Sequence, residues 1–351
     1  MALRRLLLVL MSLMLVASMA LLTGCGAEEP EQPAAETPAE TEEEAAAPAI
    51  DESGEIIAIT DAYLTSEFAK TWLINPADLN EKLAAGEESF QLIDLRSPES
   101  YAAGHIEGAI NIPTLTIVED DGLAELDPDK TQVLIDYDGA VSTGIHMFLT
   151  QLDYEALTLR FGMSGWTTDP AIASADGVTP VWDGKGKDYP MTTEVFTAEP
   201  SFEVPVVNTD AADAREAIIN GARAWAADGG SEVIDVEELK TIVDAQDPAY
   251  QIISLALPED YAVGHIEGAI SIPRGKLAKE ESLKQLDPDK TLVLYCYQGH
   301  VSGGAQMFLK QLGYDVVSLR YGAGAWTNDR ATFGEVKTYN PANIKGFPTV
   351  K

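Results

Sequence analysis

Cys296 ends the apolar run Leu292-Val-Leu-Tyr-Cys296 and opens the loop Tyr297-Gln-Gly-His-Val-Ser-Gly303. Apolar residues bounded by glycine signals predict a buried strand, and Met307, Phe308 and Leu312 at helical spacing before Gly313 predict a helix. The thiol therefore stands at the carboxyl end of a strand, just before a helix N-terminus. In open α/β sheets that edge is where ligands bind. Backbone N–H groups and the helix dipole favour an anion there. A cysteine so placed is favoured as the thiolate, the nucleophilic form. The competing reading is an inert buried cysteine, the commoner fate of a lone one.

Stepping from 90–166 to 250–326 by a shift of 160 superimposes two copies of one pattern without a gap, with 40 identities in 77 positions. His105 meets His265, Leu126-Asp-Pro-Asp-Lys130 meets Leu286-Asp-Pro-Asp-Lys290, and Trp166 meets Trp326. Strands are predicted at Gln91–Leu95, Val133–Tyr137 and Ala156–Leu159, and again at 251–255, 293–297 and 316–319. Leading helices are predicted at Thr60–Trp72 and Asp210–Ala227, with second helices capped by Asn75 and Asp235. Strands alternating with helices imply an α/β fold: two tandem domains, each a parallel sheet flanked by helices. The expected boundaries are 56–200 and 205–351, joined by a Gly- and Pro-bearing connection from Asp169 to about Pro205.

The Cys296 loop resembles the active-site loop of the rhodanese (sulfurtransferase) family. Leu257-Pro-Glu-Asp-Tyr-Ala-Val-Gly-His-Ile-Glu-Gly-Ala-Ile-Ser-Ile-Pro273 is similar to that family's first signature, and Leu319-Arg-Tyr-Gly-Ala-Gly-Ala-Trp326 to its closing one. The resemblance implies that Cys296 carries a persulfide held by inward-pointing N–H groups of Tyr297, Gln298, Gly299, His300, Val301, Ser302 and Gly303. It implies no cofactor. Asp136 occupies the Cys296 position in the first repeat, and a carboxylate has no sulfur to accept a sulfane atom. That repeat is expected to be silent, with Asp136 a fixed anion in the same nest of N–H groups. The family's usual Asp-x-Arg survives as Asp94-Leu-Arg96 in the silent repeat, whereas the active repeat has Ser254-Leu-Ala256. Val301 stands where many members have Arg. Both departures weaken the case for thiosulfate and favour polysulfide or a protein persulfide. Phosphatases and arsenate reductases of related fold end a longer Cys loop in Arg; here no Arg appears before Arg320.

Among the remaining candidates, Arg274 and Lys276 follow the first signature and read equally as substrate-binding cations or solvated charges. The His300 ring reads as a group that could protonate a sulfur species or as a solvated side chain. His105 and His265 occur in both repeats and read as turn structure. No His/Asp/Glu cluster has metal-ligand spacing.

The formal net charge is -34, and residues 1–24 contain two Arg and no acid, so their removal leaves -36. This argues against nucleic acid and against docking on anionic lipid head groups. Arg4 and Arg5 precede an apolar run from Leu6 to Leu22, and Leu22-Thr-Gly-Cys25 resembles the bacterial lipobox. Residues 1–24 are thus expected to be a lipoprotein signal peptide, with Cys25 lipidated and residues 25–55, rich in Ala, Glu and Pro, a disordered tether. The expected location is the extracytoplasmic face of a bacterial membrane (cell envelope or periplasm).

Two functions compete. One is a sulfurtransferase passing sulfane sulfur from thiosulfate, polysulfide or a protein persulfide through Cys296 to a thiol, sulfide or cyanide. The other is a non-enzymatic sulfur carrier, redox sensor or interaction module that serves a partner protein in sulfur metabolism. Turnover separates them. Lipidation makes its own prediction: Cys25→Ser releases or mislocalises the protein on membrane fractionation, and equal membrane association of the two forms contradicts it.

Overall fold

The computed structural model describes residues 50–175, 177, 182–329 and 346–351. The leader, Cys25 and the tether as far as residue 49 lie outside the described residues. Each repeat builds a five-stranded, all-parallel sheet, with strand orders β1-β5-β4-β2-β3 and β6-β10-β9-β7-β8. In the first these are β1 Leu73–Ile74, β2 Phe90–Asp94, β3 Ile110–Asn111, β4 Thr131–Ile135 and β5 Ala156–Leu159. In the second they are β6 Val233–Ile234, β7 Tyr250–Ser254, β8 Ile270–Ser271, β9 Thr291–Tyr295 and β10 Val316–Leu319. The predicted strands agree with these to within two residues. The two-residue edge strands β1, β3, β6 and β8 are too short to leave a periodic signal.

The leading helix of the first repeat differs from expectation. It is α1, Glu52–Leu64, and not Thr60–Trp72. Asp51 caps it by accepting the Gly54 N–H at 3.0 Å, and Ile56, Thr60, Tyr63 and Leu64 form its buried stripe. Residues 52–55, expected in the tether, are its first turn. The helices that bear on the site are α2 Pro76–Ala84, α3 Pro98–Ala103, α4 Ala140–Gln151, α5 Ala214–Ala227, α6 Val236–Ala245, α7 Pro258–Val263 and α8 His300–Gln311. Asn75 and Asp235 occupy the N-cap positions of α2 and α6 without capping through their side chains; Asn75 instead donates to Asp78 at 2.8 Å.

The largest core cluster belongs to neither repeat alone. It joins α1, α4, α5 and α8 with the inner faces of both sheets, while a smaller cluster lies on the outer face of each. At its centre α4 packs on α8 through equivalent residues. Gln151 and Gln311, related by the 160-residue shift, exchange amide hydrogen bonds of 2.8 and 2.9 Å in a buried setting. Close approach depends on Gly303, where a Cβ would lie 2.2 Å from Thr143 Oγ1 and 2.7 Å from the Ala140 carbonyl.

The repeats also exchange straps. Tyr189 donates its N–H to the Trp326 carbonyl, the Trp326 indole donates to the Pro190 carbonyl, and Thr192 pairs with His265 in an antiparallel bridge. The C-terminal residues do the same on the first repeat: Phe347 N–H to Trp166, the Trp166 indole to Pro348, and Val350 bridged to His105. Each repeat is therefore covered by the segment that follows the other.

The glycine contact gives a test. Gly303→Ala should lower stability by about 1–3 kcal/mol through overpacking, read from the urea midpoint. Gly304→Ala, whose Cβ would lie 3.2 Å from its nearest neighbour, should cost less. If Gly303→Ala is as stable as the parent, as helix propensity alone would allow, the account of the interface is wrong.

Candidate functional site

Strand β9 ends at Tyr295, and the loop that follows turns Cys296 toward the inter-repeat core, where it is 2 % exposed. Gly299 holds a φ of +91°, a region open to glycine at no steric cost, and its N–H donates to Cys296 Sγ at 3.1 Å. Ser302 Oγ lies 3.9 Å from the sulfur. Val301 and Ser302 sit in the first turn of α8, where helix geometry leaves N–H groups without an intrahelical acceptor.

The first repeat has the same loop with its anion in place. Asp136 Oδ1 accepts the Gly139 N–H at 2.7 Å and the Ser142 hydroxyl at 3.1 Å. Asp136 Oδ2 accepts the N–H groups of Val141 at 2.8 Å and Ser142 at 3.0 Å. These donors are the counterparts of Gly299, Val301 and Ser302. Burial pushes the Asp136 carboxyl up to about 7 and the nearby Asp138 charge adds to this, while the Ser142 and Gly139 donors pull it down. All four contacts are donors, which is the arrangement a carboxylate requires. The structure thus places the Asp136 carboxyl in the nest of N–H groups where the sequence reading expects it.

The other loop residues divide. Gln298 lines a small cavity with Asp138, Arg320 and Tyr321. The Tyr297 hydroxyl accepts the Leu257 N–H at 2.9 Å and donates to Asp260, tying the loop to α7. Gly303 serves helix packing. The His300 side chain departs from expectation. It is 3 % exposed and turned away from the sulfur into the first repeat, where Nε2 accepts the Phe161 N–H at 3.0 Å. Burial, reinforced by the Arg160 charge, pulls its pKa down to about 3 and keeps it neutral. Because a backbone N–H can only donate, Nε2 carries the lone pair and the ring proton is on Nδ1. That Nδ1 is buried with no hydrogen-bond partner.

The Asp-x-Arg difference has a structural explanation. Arg96 is fully buried, pairs with Asp94 at 2.6 Å, and donates to the carbonyls of Ile172 and Gly104, each at 2.8 Å. Asp94 lies opposite Ile135 in the sheet, one residue before Asp136, so its side chain and the anion project to opposite faces. In the second repeat Ser254 lies opposite Tyr295, whose hydroxyl bonds Ser254 and accepts the Ile266 N–H at 3.2 Å. The ion pair of one repeat is thus replaced by a tyrosine and a serine in the other, on the face away from Cys296. Aligning the repeats gives both changes, Asp94 to Ser254 and Ile135 to Tyr295; only the strand register shows that they compensate.

Arg274 does not reach into the loop's N–H cradle. Its guanidinium donates to the Ala69 carbonyl at 2.6 Å and the Tyr63 hydroxyl at 3.0 Å, and lies 5.1 Å from the Trp72 ring centre, all in the first repeat. Lys276 is exposed at the surface. The described residues contain no cluster of His, Cys, Asp and Glu fit to hold a metal ion.

The rhodanese-like domain family model matches residues 75–169 and 235–329, together more than half of the chain. Among solved structures, a thiosulfate sulfurtransferase from Pseudomonas aeruginosa is 19% identical over 77% of this chain and 46% of its own, with a TM-score of 0.27. A rhodanese-related protein from Thermoplasma volcanium is 30% identical over 26% of this chain and 85% of its own, with a TM-score of 0.24. A rhodanese-like domain protein from Staphylococcus aureus is 27% identical over the same shares, also at 0.24. With both copies of the pattern matched, the chain belongs to the rhodanese-like family as a tandem of two domains.

Proposed function

We propose that the chain is an extracytoplasmic, lipid-anchored sulfurtransferase that carries sulfane sulfur on Cys296. The observation behind this reading is the filled cradle of the first repeat. There Oδ1 and Oδ2 of Asp136 take two sets of donors. In the second repeat Sγ takes the Gly299 N–H, the inner position. The outer position, facing the Val301 and Ser302 N–H groups, suits the terminal sulfur of a Cys296 persulfide. A lone thiol leaves it unused.

The reaction runs in two halves. The Cys296 thiolate attacks the sulfane sulfur of thiosulfate, polysulfide or a protein persulfide. A bond from Sγ to that sulfur forms, the donor's S–S bond breaks, and sulfite or a thiolate leaves with the electron pair. A thiol, sulfide or cyanide then attacks the outer sulfur and returns the Cys296 thiolate. Two half-reactions through a covalent intermediate give ping-pong kinetics. The first repeat serves as the wall against which the active loop is built. Its lack of sulfur chemistry follows from Asp136.

The near-complete burial of Cys296 favours a second reading, a stoichiometric sulfur carrier or interaction module. Multiple turnovers with a small acceptor exclude it.

Two experiments test the proposal. Intact-mass analysis after exposure to polysulfide or thiosulfate should add one sulfur to the wild type and none to Cys296→Ser. No added sulfur from any donor contradicts the assignment. Because the cradles match, Asp136→Cys should gain a second loadable thiol and take up two sulfurs per chain. Uptake of only one by a folded Asp136→Cys protein would mean that the cradle geometry is not what holds the sulfur.

A further inference from the structure

Each loop is followed by a serine at the same step, and the two hydroxyls point at different acceptors. Ser142 and Ser302 are related by the 160-residue shift, sit in the first turns of α4 and α8, and are fully buried. Ser302 Oγ donates to the Gly299 carbonyl at 2.9 Å and lies 3.9 Å from Cys296 Sγ. Ser142 Oγ donates instead to Asp136 Oδ1 at 3.1 Å. A hydroxyl has one proton to give. With a carboxyl group in the loop it goes to that group. With a thiol in the loop it goes back to the helix backbone, as serines near a helix start commonly do. The acceptor explains the difference. A hydrogen bond to an ionised acceptor is roughly twice as strong as a neutral one, whereas thiol sulfur is a weak acceptor.

The same comparison says which sulfur the hydroxyl serves. Asp136 Oδ1 is the oxygen held by the Gly139 N–H, just as Sγ is held by the Gly299 N–H. Oδ2, held by the Val141 and Ser142 N–H groups, takes no hydroxyl. The Ser302 hydroxyl therefore belongs to the inner sulfur, Sγ, and not to the outer one.

We propose that Ser302 is a switchable donor to the reacting sulfur. It rests on the Gly299 carbonyl while Cys296 is a thiol, and it turns onto Sγ when that sulfur carries negative charge. The inference rests on the reading of Cys296 as a persulfide carrier and gives the discharge step its own residue. The acceptor attacks the outer sulfur and forms a bond to it. The bond between Sγ and the outer sulfur breaks, and its electron pair goes to Sγ. The Ser302 hydroxyl donates a hydrogen bond to that thiolate and keeps its proton, so no further reactant is needed. Cys296 and Ser302 are both buried from water, so the donor has to come from the protein. Only the hydroxyl has to turn and close the 3.9 Å gap.

The test has two arms on the full chain. The first needs no sulfur transfer. In crystals of Cys296→Asp, Ser302 Oγ should leave the Gly299 carbonyl and bond the new carboxylate as Ser142 bonds Asp136. A Ser302 hydroxyl still on the Gly299 carbonyl overturns the switch, whatever becomes of the persulfide reading. In the second arm the sulfur-loaded wild type, Ser302→Ala and Ser302→Thr are discharged in single turnovers. Losing one hydrogen bond to a charged atom should slow Ser302→Ala by about tenfold. The factor should be the same for cyanide and for a thiol, because Sγ is the leaving atom with both, and the apparent KM of each acceptor should not move. Ser302→Thr keeps the hydroxyl and should keep most of the rate. Discharge of Ser302→Ala at the wild-type rate overturns the role. So does a loss that differs between acceptors or that Ser302→Thr shares in full, since either assigns Ser302 to loop packing. A wild type that takes up no sulfur fails the carrier reading, and the first arm still decides where the hydroxyl turns.

Discussion

The first N–H groups of a helix have no partner within that helix, and here two such helix ends are buried at the seam between two sheets. Burying them away from water without an acceptor is costly, so each must be given an anion or an equivalent acceptor. The first repeat meets the demand from its own chain through the Asp136 carboxylate, with contacts of 2.7 to 3.1 Å. The second gives its helix a sulfur that engages one recorded N–H, that of Gly299. The same loop backbone thus presents a carboxyl group to its N–H groups in the first repeat and a thiol in the second.

The first repeat contributes to the second by position. The α8 helix that follows the active loop packs on α4, and Gly303 lets the two approach. The His300 ring locks the loop's end against Phe161. Asp138 of the first repeat's loop pairs with Arg320 of the second repeat at 2.8 Å. Exchanged straps, from 189–192 on one side and 347–350 on the other, tie each repeat to the chain segment of the other. The second domain cut out alone would lose the packing partner of the helix that follows Cys296. The shared core cluster is the energetic expression of that dependence.

Much of the fold was readable in the sequence. The parallel sheets and the strand-end cysteine follow from local pattern, and the repeat from aligning the two halves at a shift of 160. Position relative to the other repeat was not readable. His300 and Arg274 read either as groups facing a substrate or as solvated side chains, and they are neither in solvent nor in the loop's N–H cradle: one turns into Phe161 and the other into Tyr63 and Ala69, contacts 139 to 211 residues away in sequence. The missing Asp and Arg of Ser254-Leu-Ala256 read as a less charged pocket, a case against thiosulfate. The register shows instead that Tyr295 fills the space on the far face of the sheet. The start of α1 was missed because Asp51 lies at the end of an acidic, alanine-rich stretch that hides its capping role.

The central claim is that a Cys296 persulfide completes the second cradle as Asp136 completes the first. The most direct measurement is a crystal structure of the protein after loading with polysulfide. The account predicts the outer sulfur within hydrogen-bond reach of the Val301 and Ser302 N–H groups, with Sγ still on Gly299. An outer sulfur turned away from both N–H groups, or lodged against a side chain outside the loop, would contradict it.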